Sequence, residues 1–246
     1  LQRKDARFIN AGMIANVLGA ITSDQLEDGR VISGIGGQYN FVSMAHALPD
    51  ARLIMMIRST RGAGKTLKSN IVFNYGHCSV PKHLRDIVVT EYGIADVRGK
   101  PDWQVIAEMI NVSDSRFQEE LLEEAKKAGK IPKDYKIPAQ FKNNYPERLD
   151  KLLKPYQERG YFKTFPFGTD LTDDEIELGG SLKLLKATSA NHPSKMITGL
   201  VAELFRNIPE KAEKHLSFLR LNNPANMKER IMRKIVVLAL RMNNKV

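Results

Sequence analysis

Three short segments hold residues whose types and spacing could do chemistry. The first is Ser33-Gly-Ile-Gly-Gly-Gln38. Glycines at that density let a backbone come close to a ligand, and N–H groups at a helix start can hold an anion or the oxyanion of a reacting carbonyl. A tight turn with no ligand fits the same residues. A dinucleotide fingerprint does not, because GxGxxG needs glycine where Tyr39 stands. The second segment, Arg61-Gly-Ala-Gly-Lys-Thr66, imitates the end of a phosphate-binding P-loop. The full motif needs glycine at Ser59 and a helix after the loop, whereas Leu67 to Phe73 reads as loop then strand. A nucleotide triphosphatase is therefore excluded, and Arg61, Lys65 and Lys68 read as a solvated loop. The third runs from Val88 to Gly99. Glu91 follows an apolar strand there, and sites in open α/β sheets gather at the carboxyl ends of strands. Glu91 is thus a base or orienting group of a site, or a carboxylate that simply ties down a loop.

Histidine and cysteine add less. His46, His77 and His83 match no helical ligand pair, so no metal site is expected. Cys78 is the single cysteine, which rules out an internal disulfide and a CxxC zinc site and fits a reducing, cytoplasmic compartment. Cys78 reads as passive rather than nucleophilic, since it and His77 would point apart on a strand.

The elements that must position these residues alternate over the first half. Arg30 to Ser33, Arg52 to Ile57, Asn70 to Phe73 and Asp86 to Thr90 have strand length and composition. Tyr39 to Leu48, Asp102 to Ile110 and Arg116 to Ala128 have helical spacing. Arg52 to Ile57 is apolar throughout, as in a strand covered on both faces. This alternation predicts an α/β fold with an open, mainly parallel sheet. Residues 130–148 hold three prolines and little periodicity, and they place the expected boundary between residues 1–129 and a mostly helical extension, 130–246. In that extension the pattern predicts helices over 149–159, from the Thr172–Glu175 capping box to about Ala187, after Pro193, after Pro209, and from about Pro224 to Met242.

Charge follows the same division. Of the formal +10, residues 1–129 carry 16 basic and 15 acidic side chains, and residues 130–246 carry 22 and 13. The basicity belongs to the extension, where a lysine-rich solvated helical surface explains it. A nucleic-acid-binding module is the rival reading, with Tyr161, Phe162, Phe165 and Phe167 around Lys163 as its aromatic component. No apolar run reaches the roughly 18 residues of a membrane span, so no membrane partner is expected.

Five segments in order resemble the C-terminal part of the acetyl-CoA hydrolase/transferase family, which belongs with the class I CoA-transferases. They are Phe8 to Met13 (FINAGM), Ser33 to Phe41 (SGIGGQYNF), Ile57 to Arg61 (IRSTR), Ser69 to Val72 (SNIV) and Val88 to Lys100 (VVTEYGIADVRGK). The resemblance spans about residues 5–125. It implies an enzyme of the CoA-transferase-like fold that moves CoA between carboxylic acids, or hydrolyses acyl-CoA, through a glutamyl-CoA thioester. A coenzyme A thioester is then a substrate, and no cofactor is bound permanently. Carried over residue by residue, Gly34, Gly36, Gly37 and Gln38 form the substrate loop. Gly36 and Gly37 supply oxyanion donors, Asn10 lies near the active site, and Glu91 is a supporting group. The family's nucleophilic glutamate lies well upstream of the glycine loop. Only Glu27 precedes the loop here, in a Leu-Glu-Asp-Gly turn unlike the nucleophile motif. The chain, which starts at Leu1, is therefore expected to be a piece of a longer protein and inactive alone. Its expected partners are an acyl-CoA, a small carboxylate and the N-terminal domain of the same protein. A homodimer is compatible and nucleic acid is not expected. A lobe that only assembles a larger enzyme is the other rival, and it predicts a bare apolar patch.

Overall fold

The structure is a computed structural model and describes residues 3–245. Its elements run β1 (Arg7–Ala11), β2 (Ile14–Asn16), β3 (Ile21–Thr22), α1 (Gln38–Ala47), β4 (Arg52–Met56), β5 (Thr60–Arg61), β6 (Lys68–Ser69), β7 (Ile71–Val72), β8 (Ile87–Thr90), β9 (Gly93–Asp96), α2 (Asp102–Asn111), α3 (Ser115–Lys127), α4 (Pro146–Glu158), α5 (Asp173–Asn191), α6 (Pro193–Leu204), α7 (Glu210–Phe218) and α8 (Met227–Met242). The fold is α/β.

The main sheet has the order β1-β4-β8-β9. β1, β4 and β8 are parallel, and β9 turns back antiparallel to β8. A second sheet, β3-β2-β7, pairs β2 parallel to β7, and β5-β6 is a separate hairpin. Leu53, Met55, Val88 and Ala95 point from the main sheet into one core with Val42 and Ala45 of α1, Ile106, Met109 and Ile110 of α2, and Leu121 and Leu122 of α3. Burying each such side chain stabilises the fold by about 1.5–3 kcal/mol before entropy is counted. The α3 start is fixed locally, since Asp114 accepts the Arg116 N–H at 3.0 Å. Gly129, at φ +63°, follows its end.

Two expectations are corrected. Arg30 to Ser33 forms no strand. Val31 makes a single bridge to Gln25, and Val31 and Ile32 are exposed. The segment from residue 130 does not leave the first unit: Ile131 and Ile137 are buried in its core. The Gln118 side-chain amide donates to the Phe141 carbonyl at 3.0 Å, and that of Asn144 to the Asn111 and Ser113 carbonyls at 2.8 and 2.9 Å. The chain divides instead into compact units Leu1–Tyr161 and Phe162–Val246. Prolines break periodicity, but they do not prevent the residues between them from packing.

The second unit is helical. Thr172 and Glu175 cap α5 reciprocally, with the Thr172 N–H on Glu175 Oε2 at 2.8 Å and the Glu175 N–H on Thr172 Oγ1 at 3.3 Å. Asn226 caps α8 through the Glu229 N–H. Leu178, Ala212, Leu216, Val236, Val237 and Leu240 make its core.

Candidate functional site

The carboxyl ends of β1, β4 and β8 open into a cleft of about 660 Å3. Ala11, Met56 and Thr90 stand at those ends, and Arg58, Arg61, Asn70 and Glu91 add its polar groups. Glu91 and Tyr92 form the two-residue turn between β8 and β9. The Glu91 carboxylate accepts the Ser59 N–H at 2.9 Å on one oxygen and the Ser59 hydroxyl at 2.6 Å on the other. Ser59 itself is fully buried. Beside it, Asn70 accepts from Arg61 at 2.7 Å and donates to the Arg58 carbonyl at 2.9 Å, so the second sheet and the hairpin are tied to the cleft. The loop from Arg61 to Thr66 closes the β5–β6 hairpin and opens no α-helix.

A smaller pocket of about 380 Å3 lies next to it, with Ala11 in both walls. Its lining includes Asn10, Ser33, Gly34, Gly37 and Gln38. Alternation along β1 separates the two sites. Ala11 faces the cleft, while Asn10 points to the side covered by α1. The Asn10 Nδ2 is buried without a partner, and so is the Gln38 Oε1. The Gln38 orientation is set by its Nε2, which donates to the Ala11 carbonyl at 3.0 Å. Its Oε1 is thereby left as an acceptor on a side chain that is only 8% exposed.

The glycine loop ends at the start of α1, with Gly37 as N-cap and no side-chain cap. Among the described residues, the N–H groups of Gly34, Gly36 and Gly37 donate to nothing. Gly36 sits at φ +59°, where a Cβ is strained. The root of the loop is pinned at Asp24, whose backbone carbonyl accepts the N–H groups of Ile32 and Ser33 at 2.7 and 3.2 Å. The Asp24 carboxylate takes the Ser79 hydroxyl, and His77 Nε2 at 3.1 Å. The Ser79 hydroxyl, then His77, hold its carboxyl below the ordinary carboxylate range against the opposing effect of burial.

The structure therefore brings Asn10, Gly34, Gly37 and Gln38 together. Gly36 lies in the same loop but outside the pocket lining, and Glu91 lies in the neighbouring cleft. Ser59 and Asp24 were not anticipated from the residues. Nothing local distinguishes a serine or aspartate whose partner is 32 or 55 positions away. Glu27 is occupied in a loop contact, accepting the Gly76 N–H at 3.1 Å. Cys78 is exposed at residue level, with its thiol pushed up by burial of the sulfur. Among the described residues no His, Cys, Asp and Glu cluster could hold a metal, and no helix is long and apolar enough to cross a membrane.

Comparison with known proteins now bears on this arrangement. Residues 1–125 match the model of the acetyl-CoA hydrolase/transferase C-terminal domain, which is half of the chain. The chain belongs to the acetyl-CoA hydrolase/transferase family. It is 32% identical over 120 residues to a 4-hydroxybutyrate coenzyme A transferase of Clostridium kluyveri, covering 48% of this chain and 28% of that protein. It is 30% identical over 139 residues to a probable butyrate:acetyl-CoA coenzyme A-transferase of Syntrophomonas wolfei subsp. wolfei, covering 55% and 31%. Among solved structures, RipA from Yersinia pestis shares 29% identity over 51% of this chain and 28% of its own, at a TM-score of 0.46. The match spans less than a third of the length of these two curated relatives. Both unpartnered amides and the free loop N–H groups fall inside the matched segment.

Proposed function

We propose that residues 1–125 are the substrate-holding C-terminal lobe of a cytoplasmic CoA-transferase whose nucleophilic glutamate is supplied by the N-terminal part of the enzyme. One observation carries this reading. Gly34 and Gly37 present unused N–H groups at a helix start, in the pocket that also holds the unpartnered amide atoms of Asn10 and Gln38, and Gly36 stands in the same loop. Preorganised donors of this kind stabilise charge that develops on a carbonyl oxygen. Transfer, rather than hydrolysis, is favoured by the relatives, whose names are those of CoA-transferases.

The reaction runs through exchange of acyl partners on the glutamate. Its carboxylate attacks the acyl-CoA carbonyl and expels the CoA thiolate, leaving a mixed anhydride. The thiolate then attacks the glutamyl carbonyl, forming glutamyl-CoA thioester and releasing the first carboxylate. The acceptor carboxylate repeats these two steps in reverse and leaves as the new acyl-CoA. In each addition an oxyanion forms; Gly34 and Gly37 of the pocket lining offer it N–H donors, and Gly36 holds the left-handed turn of the loop between them. Asn10 Nδ2 donates to a substrate oxygen, and Gln38 Oε1 accepts from a substrate N–H or O–H. Glu91, held by Ser59, orients the cleft wall.

The test is a CoA-exchange assay. The chain alone should give no turnover. The chain assembled with the N-terminal part should transfer CoA, and Asn10→Ala should reduce that transfer at least tenfold. Turnover by the isolated chain, lost on mutating a residue within it, would refute the assignment of the nucleophile to another segment.

A further inference from the structure

We infer that the open face of the four-stranded sheet is a docking surface, and that helices from the N-terminal part of an acetyl-CoA hydrolase/transferase cover it. The inference follows from register. Ile9 pairs with Ile54 and Ile54 with Ile87, while Met56 pairs with Val89 and Val89 with Ile94. Partners in adjacent strands share a face, so these six side chains form one apolar surface. The intervening residues Leu53, Met55, Val88 and Ala95 are buried beneath helices. The six are not: Ile9 is 54%, Met56 46% and Ile94 68% exposed, and the other three are half-buried.

Such a face is unusual for this strand arrangement. Sheets with parallel strands are covered on both sides, and the cover is helical, because crossover connections lay helices on the faces. Exposed apolar surface of this continuity marks an interaction site. At one end of it Arg52 is already bound to Asp86 and Asp96. The six side chains themselves are aliphatic or thioether, and Arg58 and Glu91 stand beyond their other edge, in the cleft.

The length of the relatives identifies the occupant. The chain matches 28–31% of each curated relative considered above, and the matched family segment is the C-terminal domain. The bulk of such an enzyme therefore lies ahead of this segment, and it is the source of the missing helices. A helix laid over Met56 and Val89 also walls the large cleft, which both residues line. Docking would then close the site as well as bury the sheet. The surface rests on family membership and register, and the catalytic reading above can fail without it.

Methionine oxidation tests the proposal. The chain is treated with hydrogen peroxide alone, and again joined behind the N-terminal part of the enzyme from its own source. Sulfoxide formation at each methionine is followed by peptide mass spectrometry. Met56 should oxidise at least tenfold more slowly in the joined protein, while the exposed Met227 and Met232 keep their rates. Ile94→Asp should restore Met56 oxidation in the joined protein and leave the melting temperature of the isolated chain unchanged. An unaltered Met56 rate in the joined protein would overturn the proposal. So would protection that grows with concentration of the isolated chain, the outcome for a second copy. Met56 protection without CoA exchange would sink the catalytic reading alone, and CoA exchange with Met56 still open would sink the docking surface alone.

Discussion

The Glu91 carboxylate and Ser59 are joined by two hydrogen bonds, one from the serine N–H and one from its hydroxyl. The pair fixes the β8–β9 turn to the chain leaving β4, at the mouth of the cleft. Ser59→Ala removes the hydroxyl donor and should cost about 1 kcal/mol, a melting temperature lower by roughly 2–4 °C. In a Glu91→Ala background the same change should cost much less, since the two groups act on each other. Thermal melts of the four proteins measure this coupling, and additive losses would show that the pair is not coupled.

Gly37 and Gly36 should separate stability from chemistry. A Cβ at Gly37 meets nothing within 4 Å, so Gly37→Ala should melt like the parent while reducing CoA exchange in the assembled enzyme about tenfold or more. Gly36→Ala faces the same open space but at φ +59°, and should in addition lose about 1–2 kcal/mol. Urea unfolding and steady-state kinetics read the two effects.

Gly12 behaves oppositely. A Cβ there would lie 2.5 Å from Ile21 Cγ2 and 3.6 Å from Ile57. Gly12→Ala must displace a buried isoleucine and should destabilise by about 1–3 kcal/mol. A urea midpoint equal to that of the parent would show that β3 yields more easily than its packing implies.

Acid should loosen the glycine loop. The Asp24 carboxyl is held below its ordinary value chiefly by the Ser79 hydroxyl. A carboxyl with a lowered folded pKa stabilises the fold above its unfolded value, near 3.9, and that contribution is lost as pH falls through the folded value. Below about pH 4 the parent should therefore lose stability faster than Asp24→Asn. Because the Asp24 carbonyl receives the Ile32 and Ser33 N–H groups, their hydrogen-exchange protection should fall over the same range. Parallel acid-melting curves for the two proteins would contradict this.

Much of the fold was legible along the chain because its signals are local. The start of α5 follows from the Thr172–Glu175 capping box, whereas the Asp114 cap of α3 and the Asn226 cap of α8 emerged only in the structure. The strand at 52–57 and the one ending at Thr90 were visible as apolar runs of strand length, and the glycine loop before α1 as composition. The motifs likewise pointed to the family that the comparison then established. Less legible was Arg30 to Ser33, where β-branched residues suggested a strand. Strand propensity cannot form a ladder without a neighbour, and the loop leaves Val31 and Ile32 in the open.

By itself the sequence determined the α/β class, most element limits and the residues of the glycine loop. These depend on periodicity, capping and backbone freedom within a window of a few residues. The tertiary structure decided the rest. It placed Asn10 and Glu91 in adjoining pockets, paired Ser59 with Glu91, tied Asp24 to the loop root, and moved the boundary of the first unit to Tyr161. It also decided which side of the sheet is covered. Alternation says only that two faces differ, and which of them meets helices depends on contacts between segments far apart in the chain.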